Sequence, residues 1–127
     1  MRPVTPGLES FIANVVTSIE HAEVLLLLHR SPETYWAVDA ISQQLGLGPT
    51  VVQARVHDLR KHALIVEGTT GAYRFAARDG ETARLVRELN DCYREQRVHV
   101  INAIFSANLT RLRNFADAFR LGGKKEP

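Results

Sequence analysis

Between residues 49 and 62 the sequence gathers Thr50, Gln53, Ala54, Arg55, His57, Arg60 and Lys61. A Gln amide donates and accepts at once, a hydroxyl does the same, an imidazole donates, and Arg and Lys offer fixed positive charge. That mixture suits an anionic or hydrogen-bonding partner better than bond-breaking chemistry. At about 100° per residue, Val52, Val56 and Leu59 fall on one side of a helix. Thr50, Ala54, His57 and Lys61 then lie most nearly opposite, with Gln53 and Asp58 flanking them.

The other reactive side chains do not assemble into a site by spacing. The histidines are His21, His29, His57, His62 and His99, and none stands at metal-ligand spacing with cysteine or carboxylate. Cys92 and His99 share a helix face at i and i+7, but two groups do not hold a metal. Asp39, Asp58, Glu67, Asp79 and Glu81 fall on different elements. There is no Gly-rich phosphate loop and no nucleophile elbow. The sequence therefore assigns no catalytic residue, no metal and no cofactor, and the expectation is a protein that is not an enzyme.

The elements that would position residues 49–62 can be read from periodicity and punctuation. Met1 to Gly7 reads as a loose leader, and Leu8 to Val16 as a short helix. Thr17 and Glu20 have the spacing of a capping box, opening a helix that runs to about Arg30. Its run Val24-Leu25-Leu26-Leu27-Leu28 covers most of the circumference, which makes it the central core helix. Ser31-Pro32 ends it, and Thr34-Tyr35-Trp36 is a short extended piece. A helix follows over Val38 to Leu45, then the turn Gly46-Leu47-Gly48. Pro49 opens the next helix, where its missing N–H costs nothing, and that helix reaches about His62. Leu64-Ile65-Val66 and Ala72-Tyr73-Arg74-Phe75 read as two strands joined by Gly68-Thr69-Thr70-Gly71. A long helix is expected over Glu81 to Phe105 and a last one over Leu109 to Leu121, with a polar tail at 122–127.

The segment Leu45-Gly46-Leu47-Gly48-Pro49-Thr50-Val51-Val52-Gln53-Ala54-Arg55-Val56-His57-Asp58-Leu59-Arg60-Lys61-His62-Ala63-Leu64-Ile65 resembles the turn and recognition helix of MarR-like and ArsR-like regulators. The wider order of helix, short strand, helix, turn, helix and hairpin resembles the winged helix-turn-helix superfamily over about half the chain. The resemblance implies a mainly α fold with a small β-hairpin: a leader and short helix at 1–16, a winged domain at 17–78, and a helical region at 79–121. It also implies a DNA-binding transcriptional regulator that places helix 49–62 in the major groove of double-stranded DNA. On that reading Gln53 pairs with adenine, Thr50 and Ala54 touch thymine methyls, and His57 donates to a base or phosphate. Arg55, Arg60, Lys61 and Arg74 contact phosphates. The chain departs from the pattern at Ala63, where members usually carry Gly, so a left-handed helix exit is expected to be less available. It departs also at Ala37, near an N-cap that is often Ser or Thr, and in a wing that has only Arg74 to set against Glu67.

In MarR-like and PadR-like regulators long C-terminal helices make the dimer. The resemblance therefore implies a homodimer through Leu85, Leu89, Tyr93, Val100, Ile104, Phe115 and Phe119. The competing expectation is that this region folds back on the leucine-rich helix and completes a monomer core. The amphipathic stretch Leu112 to Leu121 could also dock a protein partner. That leaves a second function class, an interaction adaptor that does not read DNA. A third idea is a ligand pocket involving Trp36, Tyr73 and Tyr93.

Bulk properties set bounds on these readings. Of 127 residues, 45% are hydrophobic, enough for a core, and the formal charge is +2. Residues 1–78 carry seven Lys/Arg and seven Asp/Glu, against nine and seven in 79–127, so any basic surface must come from local clustering. No apolar run approaches the roughly 18 residues of a membrane span, and no membrane partner is expected. The Met1-Arg2-Pro3-Val4 start shows no secretory pattern, and Cys92 is the single cysteine. Both fit a cytoplasmic location.

Overall fold

Val24, Leu25, Leu26 and Leu28 are fully buried and Leu27 is half-buried, so the leucine-rich helix is packed on nearly every side. In the computed structural model residues 4–124 are described, with side chains through residue 118. The elements are α1 (Pro6–Asn14), α2 (Ile19–Arg30), α3 (Val38–Leu45), α4 (Pro49–Lys61), β1 (Ile65–Glu67), β2 (Tyr73–Phe75), α5 (Gly80–Glu95) and α6 (Arg97–Lys124). The fold is mainly helical with one two-stranded antiparallel sheet. α2 is the hub and touches α3, α4, β2 and α5, while α6 lies on α1 and α5. Each fully buried aliphatic side chain of α2 contributes about 1.5–3 kcal/mol of burial energy.

Helix starts differ from expectation in two places. α1 begins at Pro6, inside the segment read as a loose leader, because Thr5 accepts the Leu8 N–H and Pro6 takes the first helical position. α2 is capped by Ser18, not by the Thr17–Glu20 box: Ser18 Oγ accepts the His21 N–H at 3.1 Å. The registry shifts by one because His21, which follows the cap by three, is drawn into the core.

α3 ends at Gly46, whose φ of +70° puts it in the left-handed region. The Gly46 and Leu47 N–H groups both bond the Ser42 carbonyl. α4 ends in the same region without a glycine. Ala63 has φ +57°, the Leu64 N–H bonds the Leu59 carbonyl at 3.1 Å, and the Ala63 N–H bonds Arg60 at 2.9 Å. These are the two bonds of a Schellman exit, with Leu59 and Leu64 both fully buried as its apolar clasp. The chain thus takes the left-handed exit that Ala63 was expected to make less available. The clasp and two hydrogen bonds offset the Cβ penalty.

That exit commits Leu64, so β1 starts one residue later than read, at Ile65. Ile65 pairs with Phe75, Val66 with Arg74 and Glu67 with Tyr73. Trp36 and Tyr73 exchange both backbone bonds, at 2.7 and 2.8 Å, and tie the α2–α3 connection to the hairpin.

The C-terminal region departs most from expectation. α5 starts at Gly80 behind the N-cap Asp79, which accepts the Thr82 N–H at 2.7 Å. It stops at Gln96, in the middle of the single helix expected over 81–105. Gln96 has φ −141°, and its carbonyl accepts from His99 and Val100 to open α6. No proline or glycine marks the break. It lets the chain turn so that Val100 and Ile104 pack into the same core as Leu89 and Cys92. α6 then runs unbroken through residues 106–108, where an interruption was expected, to Lys124. Residues 125–127 of the expected tail lie outside the described residues.

Candidate nucleic-acid interface

α4 is held in the core by its inner face. Val52, Val56 and Leu59 are fully buried against α2 and α3, and Gly48 precedes Pro49 without a side-chain cap. The opposite side is bare: Thr50, Gln53, Ala54, His57 and Lys61 are all exposed. Thr50, Gln53, Ala54 and His57 line one shallow groove together with Val38 and Asp39 from the start of α3. The residue types that can hydrogen-bond a partner are therefore brought to one surface.

The cationic candidates divide. Arg60 is ion-paired to Glu67 of β1 at 2.8 Å. Arg74 donates to the Tyr35 hydroxyl at 3.1 Å and sits 5.6 Å from that ring's centre. Tyr35 in turn covers Gly68, where a Cβ would come within 2.7 Å of the ring, so the turn of the hairpin, Tyr35 and Arg74 form one packed unit. Arg55 is half-buried, and its Nε is buried with no hydrogen-bond partner among the described residues. Lys61 is exposed and has no ion pair among the described residues.

Asp58 was read as a flanking group on the outward side. It lines the same groove, 41% exposed, and its carboxylate also accepts from His21 Nε2 at 2.9 Å across the α2–α4 contact. His21 Nδ1 lies 2.6 Å from Ser18 Oγ. The network fits a neutral imidazole, the form that burial favours: Nε2–H donates to Asp58, and Nδ1 accepts the Ser18 hydroxyl while Ser18 Oγ accepts the His21 N–H. Burial lowers the His21 pKa from its usual 6.5, outweighing the carboxylate, which acts the other way. The hydrogen bond from His21 holds Asp58 below the usual carboxylate range. Sequence reading found neither partner, because 37 residues separate them; the only local signal was Ser18 three residues before His21.

The expected dimer residues are placed differently. Leu89 and Val100 are fully buried, and Ile104 and Tyr93 are 2% and 7% exposed, all in the chain's own core. Tyr93 also bonds Glu23, and Arg97 lies over its ring at 5.1 Å. Burial and Glu23 push the Tyr93 hydroxyl up to about 12. These four side chains already have their cover, so they offer nothing to a second copy in this fold. Leu85 is half-buried against the core, Phe115 is exposed, and the Phe119 side chain lies outside the described residues. Of the proposed pocket aromatics, Trp36 and Tyr73 meet in a β-bridge, while Tyr93 is engaged by Glu23.

Among the described residues no three His, Cys, Asp or Glu side chains are grouped to hold a metal ion. Cys92 is buried. Among the described residues no single helix is long and apolar enough to cross a membrane. Comparison with protein-family models, with curated proteins and with solved structures gives no match.

Proposed function

We propose that this protein is a DNA-binding regulator of the winged helix-turn-helix kind, which lays α4 in the major groove of double-stranded DNA. One observation carries the reading: the Thr50–Gln53–Ala54–His57–Lys61 side of α4 is uncovered, while Val52, Val56 and Leu59 hold its opposite side in the core. The order α3, Gly46 turn, α4, β1 and β2, with the Trp36 bridge beside the hairpin, supports it. Gln53 reads a base edge, Thr50 and Ala54 meet methyl groups, and Lys61 and Arg55 neutralise phosphates.

One α4 fills one groove, so the reading stands without a second copy. The mass of the free protein and its stoichiometry on DNA decide whether two copies sit one helical turn apart. Selection of fragments from random double-stranded DNA, followed by a mobility shift, tests the proposal. Enrichment of a motif whose binding is lost in Gln53→Ala and Lys61→Ala supports it. Binding that neither substitution changes refutes it.

A second reading, an interaction adaptor that does not read DNA, is favoured by the pairing of Arg60 with Glu67 and the stacking of Arg74 on Tyr35. Those two cations are spent within the chain. Absence of salt-dependent DNA affinity would select that reading.

A further inference from the structure

Five of the seven large hydrophobic side chains exposed among the described residues sit on α6: Val98, Phe105, Leu109, Leu112 and Phe115, each 54–69% exposed. At about 100° per residue they share an arc of about 120°. The arc is centred about 100° away from the direction of Val100 and Ile104, which face the core. Together they expose roughly 500 Å² of apolar side chain, at the upper end of what a soluble monomer shows in one patch. The helix is 28 residues long, so it extends about 42 Å, and every residue from 109 to 118 is exposed. Its last described ties to the rest of the chain are Asn108 to the Thr17 carbonyl, at 3.3 Å, and Arg111 to the Ala13 carbonyl.

The charges around the stripe say what covers it. Arg113 lies about 40° beyond one margin of the arc, and Asp117 lies about 140° from its centre. Arg111, about 40° beyond the other margin, is turned back onto the Ala13 carbonyl and Asn108 Oδ1. Beyond them the sequence adds Arg120, Lys124 and Lys125, so residues 111–125 carry five Lys/Arg and one Asp. In a parallel pair of such helices the Arg111 margin of one copy faces the Arg113 margin of the other. In an antiparallel pair about Leu112 each margin faces its own kind. Arg113 meets its own copy in the antiparallel pair, and in both pairs two strongly basic 111–125 segments are brought together, so self-association is opposed. An apolar stripe with Arg113 on its open margin and a basic continuation at Arg120, Lys124 and Lys125 matches a flat anionic surface, where an arginine stem lies along the apolar boundary and its guanidinium reaches phosphate.

We propose that the outer face of α6 from Val98 to Phe115 lies in the plane of an anionic lipid bilayer, with Phe105, Leu109, Leu112 and Phe115 in the headgroup–acyl boundary and Arg113 on lipid phosphate. The proposal is independent of the DNA reading, since α4 and α6 do not share residues.

Sedimentation of the full chain with vesicles tests it, using phosphatidylcholine alone and with about one-third phosphatidylglycerol. Binding to the anionic vesicles is expected to be about thirtyfold tighter, from two to three cations near the surface. It should weaken about fivefold in Arg113→Gln and be lost in Leu112→Glu/Phe115→Glu. The double substitution changes only exposed positions, and an unchanged helical circular-dichroism spectrum and melting temperature confirm that it folds. Equal binding to the two vesicle types, or none, overturns the proposal. So does a stable dimer by light scattering that the double variant dissociates.

Discussion

His21 Nε2 donates to Asp58 Oδ2 at 2.9 Å and joins the N-terminal turn of the hub helix α2 to the middle of α4. The side chain of His21 is 7% exposed and that of Asp58 41%, so the bond runs from the core to the edge of the candidate interface. It sets the orientation of α4 about its axis, and with it which residues face outward.

The bond also makes stability depend on pH. The pKa of His21 is lowered by burial in the presence of Asp58, Arg55 and Glu20, and that of His29 by burial beside Arg30, Arg87 and Asp91. Both groups are therefore protonated on unfolding before they are protonated in the folded state. Their contribution is complete above pH 6.5 and is lost as pH falls below 6.5 toward the folded values. Asp58 adds a separate loss below its usual 3.8, since its folded value is lower still. Urea midpoints measured at pH 7.5 and 5.5 should fall on acidification, and the fall should be smaller in His21→Gln and in His29→Gln. A midpoint that is flat over this range in the wild type contradicts the assignment of a neutral buried His21.

Ala63 holds a left-handed backbone that glycine adopts without penalty. The Cβ strain is about 1–2 kcal/mol, and the extra freedom of glycine in the unfolded chain returns part of it. Ala63→Gly should stabilise by about 0.5–1 kcal/mol, and Ala63→Val should destabilise by more than that, because a branched side chain fits this region worst. Thermal melts of the two variants check the pair. A destabilising Ala63→Gly would mean that the exit of α4 is not the Schellman turn described here.

On its best DNA fragment, Gln53→Ala should weaken binding by about 1–3 kcal/mol and relax preference at one base pair. Lys61→Ala should weaken all sequences alike and reduce the slope of log affinity against log salt by about 1. Titrations at several salt concentrations separate the two roles. Equal loss on every sequence in Gln53→Ala would remove it from base reading.

Glu67 holds Arg60 in an exposed pair whose side chains are 35% and 49% accessible, so its net stabilisation is at most about 1 kcal/mol. Glu67→Gln should leave the melting temperature nearly unchanged and release Arg60 toward phosphate. DNA affinity is expected to rise about three- to tenfold and the salt slope to steepen by about 1. Unchanged affinity would place Arg60 outside the DNA contact surface.

Much of the central region was legible because it rests on local rules. Val52, Val56 and Leu59 at helical spacing, Pro49 at a first helical position and Gly46 at a helix end each act within a few residues, and α3 and α4 lie where those rules put them. The outward set Thr50, Gln53, Ala54, His57 and Lys61 follows from the same periodicity and is exposed. The ties of Asp58, Arg60 and Arg74 to His21, Glu67 and Tyr35 depend on which elements meet, and they decided how much charge the surface keeps.

Residue order by itself determined that the chain is mainly helical, that the leucine-rich segment is its hub, and which side of α4 is apolar, because a 3.6-residue period is a property of neighbours in sequence. Only the tertiary structure decided where α5 yields to α6. Nothing local marks Gln96; the break places Val100 and Ile104 under the same core as Leu89, and that burial outweighs the bonds lost in one continuous helix. The same turn consumed residues that looked free for a second copy and left Phe105, Leu109, Leu112 and Phe115 facing outward instead.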